Sequence, residues 1–192
     1  GIAAYKVTPE FCQDEVDFIT SLGGIKIEYN KVLGKNISLT ELQKEYDAVF
    51  LGIGVGLARQ LEIPGEELEG VVDATEFIYD LRSRSFNQIP VGDRVAVIGL
   101  GMTAIDAATQ AKRLGAARVL MVYRKTVREM PAYDYEFELA KQDGIEFVWQ
   151  AAPIAIASDD GKRVSALRCE RADGSLEVFE IPCVMIIKAV GQ

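Results

Sequence analysis

The sequence contains no histidine in 192 residues, and that alone removes several classes of chemistry. A histidine-based catalytic triad, an imidazole proton shuttle and a metal site with histidine ligands are excluded. Cysteine is scarce too. Cys12, Cys169 and Cys183 lie far apart and form no CxxC pair, which argues against a redox disulfide, a zinc ribbon or an iron–sulfur cluster built from this chain. Each stands among apolar or strand-like neighbours, so all three are expected to be buried packing residues in a reducing, cytoplasmic compartment. No apolar run approaches the roughly 20 residues of a membrane span. Position 1 is Gly and nothing near it resembles a signal or transit peptide, so the chain is expected to begin inside a larger product. A net charge of −8 disfavours nucleic acid and anionic membranes as partners. Chemistry is therefore expected from a bound cofactor rather than from acid–base side chains.

What is present is the balance of a core-forming chain, 49% hydrophobic and 26% charged, with room for one large domain or two small ones. Thr8 and Pro9 open a helix with Phe11, Val16, Ile19 and Leu22 on one face, closed by Gly23-Gly24. Residues 25–29 alternate as a short strand, and Ser38 with Glu41 has the spacing of a capping box for a helix to about Lys44. Residues 48–52 read as a strand buried on both faces. A connection over 54–70, a helix over about 73–82 and a polar loop to Asp93 follow.

From Arg94 the pattern becomes regular. A strand at 95–98, a glycine turn, a helix at 103–114 ending at Gly115, a strand at 118–123, a helix at 133–142 closed by Gly144 and a strand at 145–148 make βαβαβ. This is the mononucleotide-binding half of a doubly wound sheet. Strands at 164–171 and 176–181 then flank the turn Ala172-Asp173-Gly174-Ser175, and a last, nearly all-apolar strand runs over 183–190. The expected class is α/β, a Rossmann-like NAD(P)-binding domain with a β-hairpin or meander.

The chemistry-bearing motif is Val97-Ile98-Gly99-Leu100-Gly101-Met102-Thr103-Ala104, a GxGxxA between an apolar strand and an amphipathic helix. Gly99 permits the turn, Gly101 lets a pyrophosphate approach the backbone, and Ala104 keeps the helix near the sheet. The free N–H groups at Met102 and Thr103 then face the phosphates. Gly52-Ile53-Gly54-Val55-Gly56 also follows an apolar run, but no sustained helix follows, so it reads as a chain crossover. At the end of the second strand an NAD-selective site carries an acid for the ribose 2′-hydroxyl. Here the strand ends in Val122-Tyr123-Arg124-Lys125, with Arg128 beyond. Arg124 can bind a 2′-phosphate bidentately and Lys125 adds a point charge. NADPH is favoured on this ground, with NADH left open by the nearby Glu129.

Three segments, Gly99-Leu100-Gly101-Met102-Thr103-Ala104-Ile105-Asp106, Val122-Tyr123-Arg124-Lys125 and Arg128-Glu129-Met130-Pro131-Ala132, resemble the family of the glutamate synthase small subunit. That family includes the flavin-bearing part of dihydropyrimidine dehydrogenase, and its members usually read GGGDTAMD, YRR and MPA there. Gly1-Ile2-Ala3-Ala4-Tyr5-Lys6 resembles the family's GIPxFRL segment. Tyr46-Asp47-Ala48-Val49-Phe50-Leu51-Gly52-Ile53-Gly54 resembles its YDAVxxAxG crossover, and Ile187-Lys188-Ala189-Val190-Gly191-Gln192 a second crossover. The resemblance implies an FAD domain interrupted by an NADPH domain. On that layout residues 1–65 are a partial FAD-domain segment, 66–188 the NAD(P)H-binding domain and 189–192 the return crossover.

It implies further that Leu100 to Thr103 meet the pyrophosphate, Arg124 and Lys125 the 2′-phosphate, and Ala189, Val190 and Gly191 the nicotinamide side. Met102 and Leu100 depart from the family's polar and small residues, so backbone contacts carry over and the polar side-chain contact does not. NADPH would reduce FAD, which belongs to the full-length protein, and electrons would pass to an iron–sulfur or catalytic partner subunit. The fragment alone is expected to be inactive. Two other readings stand beside this one: a non-enzymatic NAD(P)H-sensing module and a single-domain small-molecule dehydrogenase, the latter lacking a Tyr-x-x-x-Lys pair on a helix after the third strand.

Overall fold

The computed structural model describes residues 2–54 and 59–191, and its packing divides the chain into two compact units, Thr8–Gly56 and Gly1–Val7 with Leu57–Gln192. Gly1, Val55, Gly56, Leu57 and Gln192 of the motifs above lie outside the described residues. This partition by packing differs from the one drawn at residues 65 and 188 by resemblance, because residues 2–7 and 59–65 belong with the larger unit.

In the smaller unit, α1 (Pro9–Ser21) begins where Thr8 accepts a hydrogen bond from the Phe11 N–H at 3.3 Å. The second helix, α2 (Leu39–Glu45), has the full capping box of Ser38 and Glu41. None of residues 8–54 is buried. Cys12 is therefore exposed, against the expectation of three buried thiols, because α1 buries no residue at all. Residues 25–29 and 48–52 form no strand, and Phe50 is 94% exposed instead of enclosed on two faces. An apolar run becomes a strand only when neighbouring strands take its N–H and C=O groups, and within this unit the described residues supply no more than the isolated bridge Leu33–Ile37.

The larger unit holds a parallel sheet of β1 (Val71–Asp73), β2 (Arg94–Ile98), β3 (Arg118–Val122), β4 (Glu146–Val148) and β8 (Met185–Lys188), in the order β1-β8-β2-β3-β4. Successive residues point to opposite faces, which sorts the apolar side chains between two cores. Val95, Val97, Val119, Met121 and Ile187 join the core formed with α3 (Ala74–Ser83), α4 (Met102–Arg113) and α5 (Asp134–Gln142). Ala96, Ile98, Leu120, Val122 and Ile186 join the core under an antiparallel sheet of β5 (Ala151–Ala157), β6 (Ala166–Arg171) and β7 (Val178–Pro182). Helices thus cover one face and the meander the other. In α4 the alanines 104, 107, 108 and 111 are fully buried, so the helix lies close to the strands.

Cys169 and Cys183 are buried in the second core as expected. Burial pushes both thiols up to about 12, so they stay protonated and unreactive. The strand expected from residue 176 starts instead at Val178, because Leu176 is held in the turn at φ 57°.

Residues 2–7 are fastened to all three helices of this unit. Arg82 donates to the carbonyls of Ile2 at 2.8 Å and Val7 at 2.7 Å. Tyr5 donates to Asp106 Oδ1 at 2.7 Å, and the Lys6 ammonium bridges Asp106 at 2.7 Å and the buried Glu136. One cation thereby compensates two enclosed carboxylates on neighbouring helices. No helix among the described residues is long and apolar enough to cross a membrane.

Candidate functional site

The parallel sheet places the turn after β2 at its C-terminal edge, beside the end of β8. Gly99 has φ 118°, and a Cβ there would stand 2.4 Å from the Ala189 carbonyl oxygen. Its N–H donates to Val122 O at 3.0 Å, and the Ala189 N–H donates to Ile98 O at 2.8 Å. This glycine is required by the fold itself.

Gly101 differs. It caps α4 in ordinary extended geometry, φ −83° and ψ 176°, and a Cβ built on it meets nothing within 4 Å. Neither backbone nor packing asks for glycine at 101, so the open space in front of it is free for an outside group. No side chain caps α4, and the first N–H groups of a helix have no acceptor within it. Leu100 and Ala104 are buried behind the turn, while Met102 and Thr103 are exposed at its front. Such a surface suits an anion: the positive end of a helix dipole, amides without an acceptor in the helix and open space before Gly101.

A cleft of about 270 Å³ opens here. Gly101, Met102 and Thr103 line one side, Lys188, Ala189, Val190 and Gly191 another, and Ala74 with Thr75 at the start of α3 the third. The structure therefore brings the glycine turn together with the 189–191 segment. A larger hollow of about 400 Å³ lies in the smaller unit beside Leu39, Gln43 and Tyr46. It has no such turn, and the start of α2 there is already satisfied by its own capping box.

Arg124, Lys125 and Arg128 are not among the residues lining the cleft. They follow β3 and are exposed. Glu129, the acid that kept NADH open, is engaged locally: its carboxylate accepts from the Thr126 N–H at 3.2 Å and hydroxyl at 3.1 Å, and pairs with Lys125 at 3.4 Å. The Thr126 amide holds the Glu129 carboxyl below the usual range. Among the described residues Arg124 and Arg128 make no ion pair.

Lys188, Ala74 and Thr75 are cleft residues that sequence reasoning missed. Lys188 is 6% exposed, with its ammonium 2.7 Å from Glu66 Oε1, 3.2 Å from Gln60 Oε1 and 3.4 Å from Asp73 Oδ1. Burial works against its charge, but Glu66 and Asp73 outweigh that and hold the ammonium above the ordinary lysine range. The signal was in view, a lone lysine inside an apolar strand, since lysine is rarely enclosed without partners.

The family model described as "Pyridine nucleotide-disulphide oxidoreductase" matches residues 5–192. The chain is 32% identical over its full length to 31% of the NADPH-Fe(3+) oxidoreductase subunit beta of Geobacter sulfurreducens. It is 30% identical, over 90% of its length, to 38% of the glutamate synthase [NADPH] small chain of Escherichia coli. The chain thus spans about a third of these curated relatives. Among solved structures, FprA, an oxidoreductase of Mycobacterium tuberculosis, superposes with a TM-score of 0.79 at 20% identity, over all of this chain and 60% of that one.

Proposed function

Because this chain belongs to the pyridine nucleotide-disulphide oxidoreductase family, we propose that it is the NADPH-binding portion of a flavin-dependent oxidoreductase of glutamate synthase or dihydropyrimidine dehydrogenase type. The observation that carries this is the empty space before Gly101 at the uncapped start of α4, on the C-terminal edge of a parallel sheet. When bound, the nicotinamide would supply hydride to FAD held by further segments of the same polypeptide, and electrons would pass to an iron–sulfur or catalytic partner subunit. The relatives' names, a subunit beta and a small chain, support a multi-subunit setting.

The chain's own residues bind and orient. Backbone N–H groups from Leu100 to Thr103 receive the pyrophosphate without acid–base chemistry, and Ala104 seats α4 against the sheet. Arg124 holds the 2′-phosphate in a fork of two hydrogen bonds, assisted by Lys125 and Arg128. Glu129, tied to Thr126 and Lys125, does not oppose that phosphate as a free acid would. Ala189, Val190 and Gly191 form the wall for the nicotinamide half.

The selectivity is open to calorimetry. The 192-residue chain should bind NADPH more tightly than NADH, and Arg124→Ala should weaken NADPH by about tenfold, the worth of one or two charge-assisted hydrogen bonds, with little effect on NADH. Equal affinity of the unsubstituted chain for the two nucleotides would sink the 2′-phosphate assignment.

A further inference from the structure

Strand order fixes which half of a bound dinucleotide faces which residues. With the pyrophosphate at the turn between β2 and α4 and the 2′-phosphate beyond β3, the nicotinamide half extends the other way, over the ends of β8 and β1. That is the part of the cleft lined by Lys188, Ala189 and Thr75. Of the charged groups there Lys188 lines the cleft, and its ammonium is paired with two carboxylates outside the lining, Glu66 and Asp73, a formal sum of −1.

The cluster is built. The Glu66 carboxylate also accepts from the N–H groups of Leu61 at 2.8 Å and Glu62 at 2.9 Å, and its side chain is 12% exposed beside 6% for Lys188. Lys188 donates to Glu66 and Gln60 and stands 3.4 Å from Asp73 Oδ1. Among the described residues the buried Asp73 Oδ1 atom has no hydrogen-bond partner, and the Lys188 ammonium stands 3.4 Å from it. One lysine therefore serves two acids, and its pairing with Asp73 is the looser. A partly enclosed charge is poorly screened by salt and acts on whatever fills the cleft above it.

Resting on the NADPH reading above, we propose that the Lys188–Glu66–Asp73 cluster selects the redox state of the nucleotide. Its net negative charge makes the chain hold NADP+, whose nicotinamide ring is positive, more tightly than NADPH, whose ring is neutral. The two forms are otherwise alike, so pyrophosphate, ribose and 2′-phosphate contacts cancel in the ratio of their affinities. A site that prefers the product-like charge also eases hydride departure, because charge that develops in the reaction meets a fixed charge of opposite sign.

Asp73→Asn keeps the side chain's shape and brings the cluster to zero. In titrations of the 192-residue chain, it should raise the dissociation constant of NADP+ relative to that of NADPH by about three- to tenfold, the effect of one partly screened charge nearby. Lys188→Met takes the sum to −2 and should move the ratio the opposite way. Should that variant fail to fold, Asp73→Asn decides alone. Arg124→Ala should weaken both forms alike and leave the ratio in place. A ratio unchanged in Asp73→Asn, with both nucleotides still bound, overturns the redox-state selection and leaves the NADPH reading standing. Failure of the unsubstituted chain to bind either form overturns both.

Discussion

Gly99→Ala should cost the larger unit about 3 kcal/mol or more of stability, the sum of a strained backbone and an overpacked contact. Two independent penalties meet at this residue: φ is 118°, and the added methyl would stand 2.4 Å from the Ala189 carbonyl oxygen. That oxygen is backbone, so it cannot swing aside as a flexible side chain would. The strand ends must part instead, and the Ala189 N–H to Ile98 O hydrogen bond is the first to suffer. For a unit of this size the expected drop in melting temperature is roughly 10 °C, without any nucleotide present. Circular dichroism melts of the two forms check it, and an unshifted midpoint would mean that the turn does not lie against β8.

Gly101→Val should do the reverse. A branched side chain is compatible with φ −83° and ψ 176°, and nothing within 4 Å opposes its Cβ. The fold loses about 1 kcal/mol from a poorer N-cap, a few degrees at most. NADPH affinity, however, should fall by about a hundredfold or more, because the side chain stands where the diphosphate must approach the amides. Calorimetry beside a thermal melt separates the two outcomes. Full binding by the valine variant would remove the glycine turn from the phosphate site. On the proposed reading the two glycines of one fingerprint divide the labour, the first serving the protein and the second its ligand.

The contrast marks what can be read from residues in order. The segment 94–148 is legible because each element there is self-consistent: a four-residue apolar strand, a glycine turn, a helix whose alanines fall on one face, then a second strand. The three-residue β1 is not legible, since Val71, Val72 and Asp73 carry no periodicity and gain their strand character from pairing with Ile186 to Lys188. β5 hides for another reason. Ala151 to Ala157 is mostly alanine around one proline, residues that favour no sheet by themselves, and β6 organises it through pairing. The opposite error occurs at residues 25–29 and 48–52, where suitable side chains find no partner among the described residues of their unit. Cys12 fails with them, as burial belongs to the packed helix and not to the neighbours in sequence.

The candidate site divides the same way. Its phosphate half, residues 99–104, is contiguous and carries a spacing. The half formed by Ala74, Thr75 and Lys188 is assembled across more than a hundred positions of chain and has no spacing to find. Arg124 and Lys125 are visible from composition at a strand end, but the engagement of Glu129 by Thr126 appears once the short turn at Val127–Glu129 is folded.

The position of β8 bears on how the polypeptide leaves the ribosome. Its slot lies between β1 and β2, yet it is synthesised after the other described strands of that sheet, with residue 186 pairing to residue 71 and residue 185 to residue 95. Until it emerges, the nascent chain holds two unsatisfied strand edges about two inter-strand spacings apart, roughly 10 Å, lined by apolar side chains. Such a gap invites pairing with strangers, and closing it across so long a loop is slow. Closure of this sheet during translation thus waits on residues 185–188, and a product terminated before them retains an open, adhesive centre in place of a finished sheet.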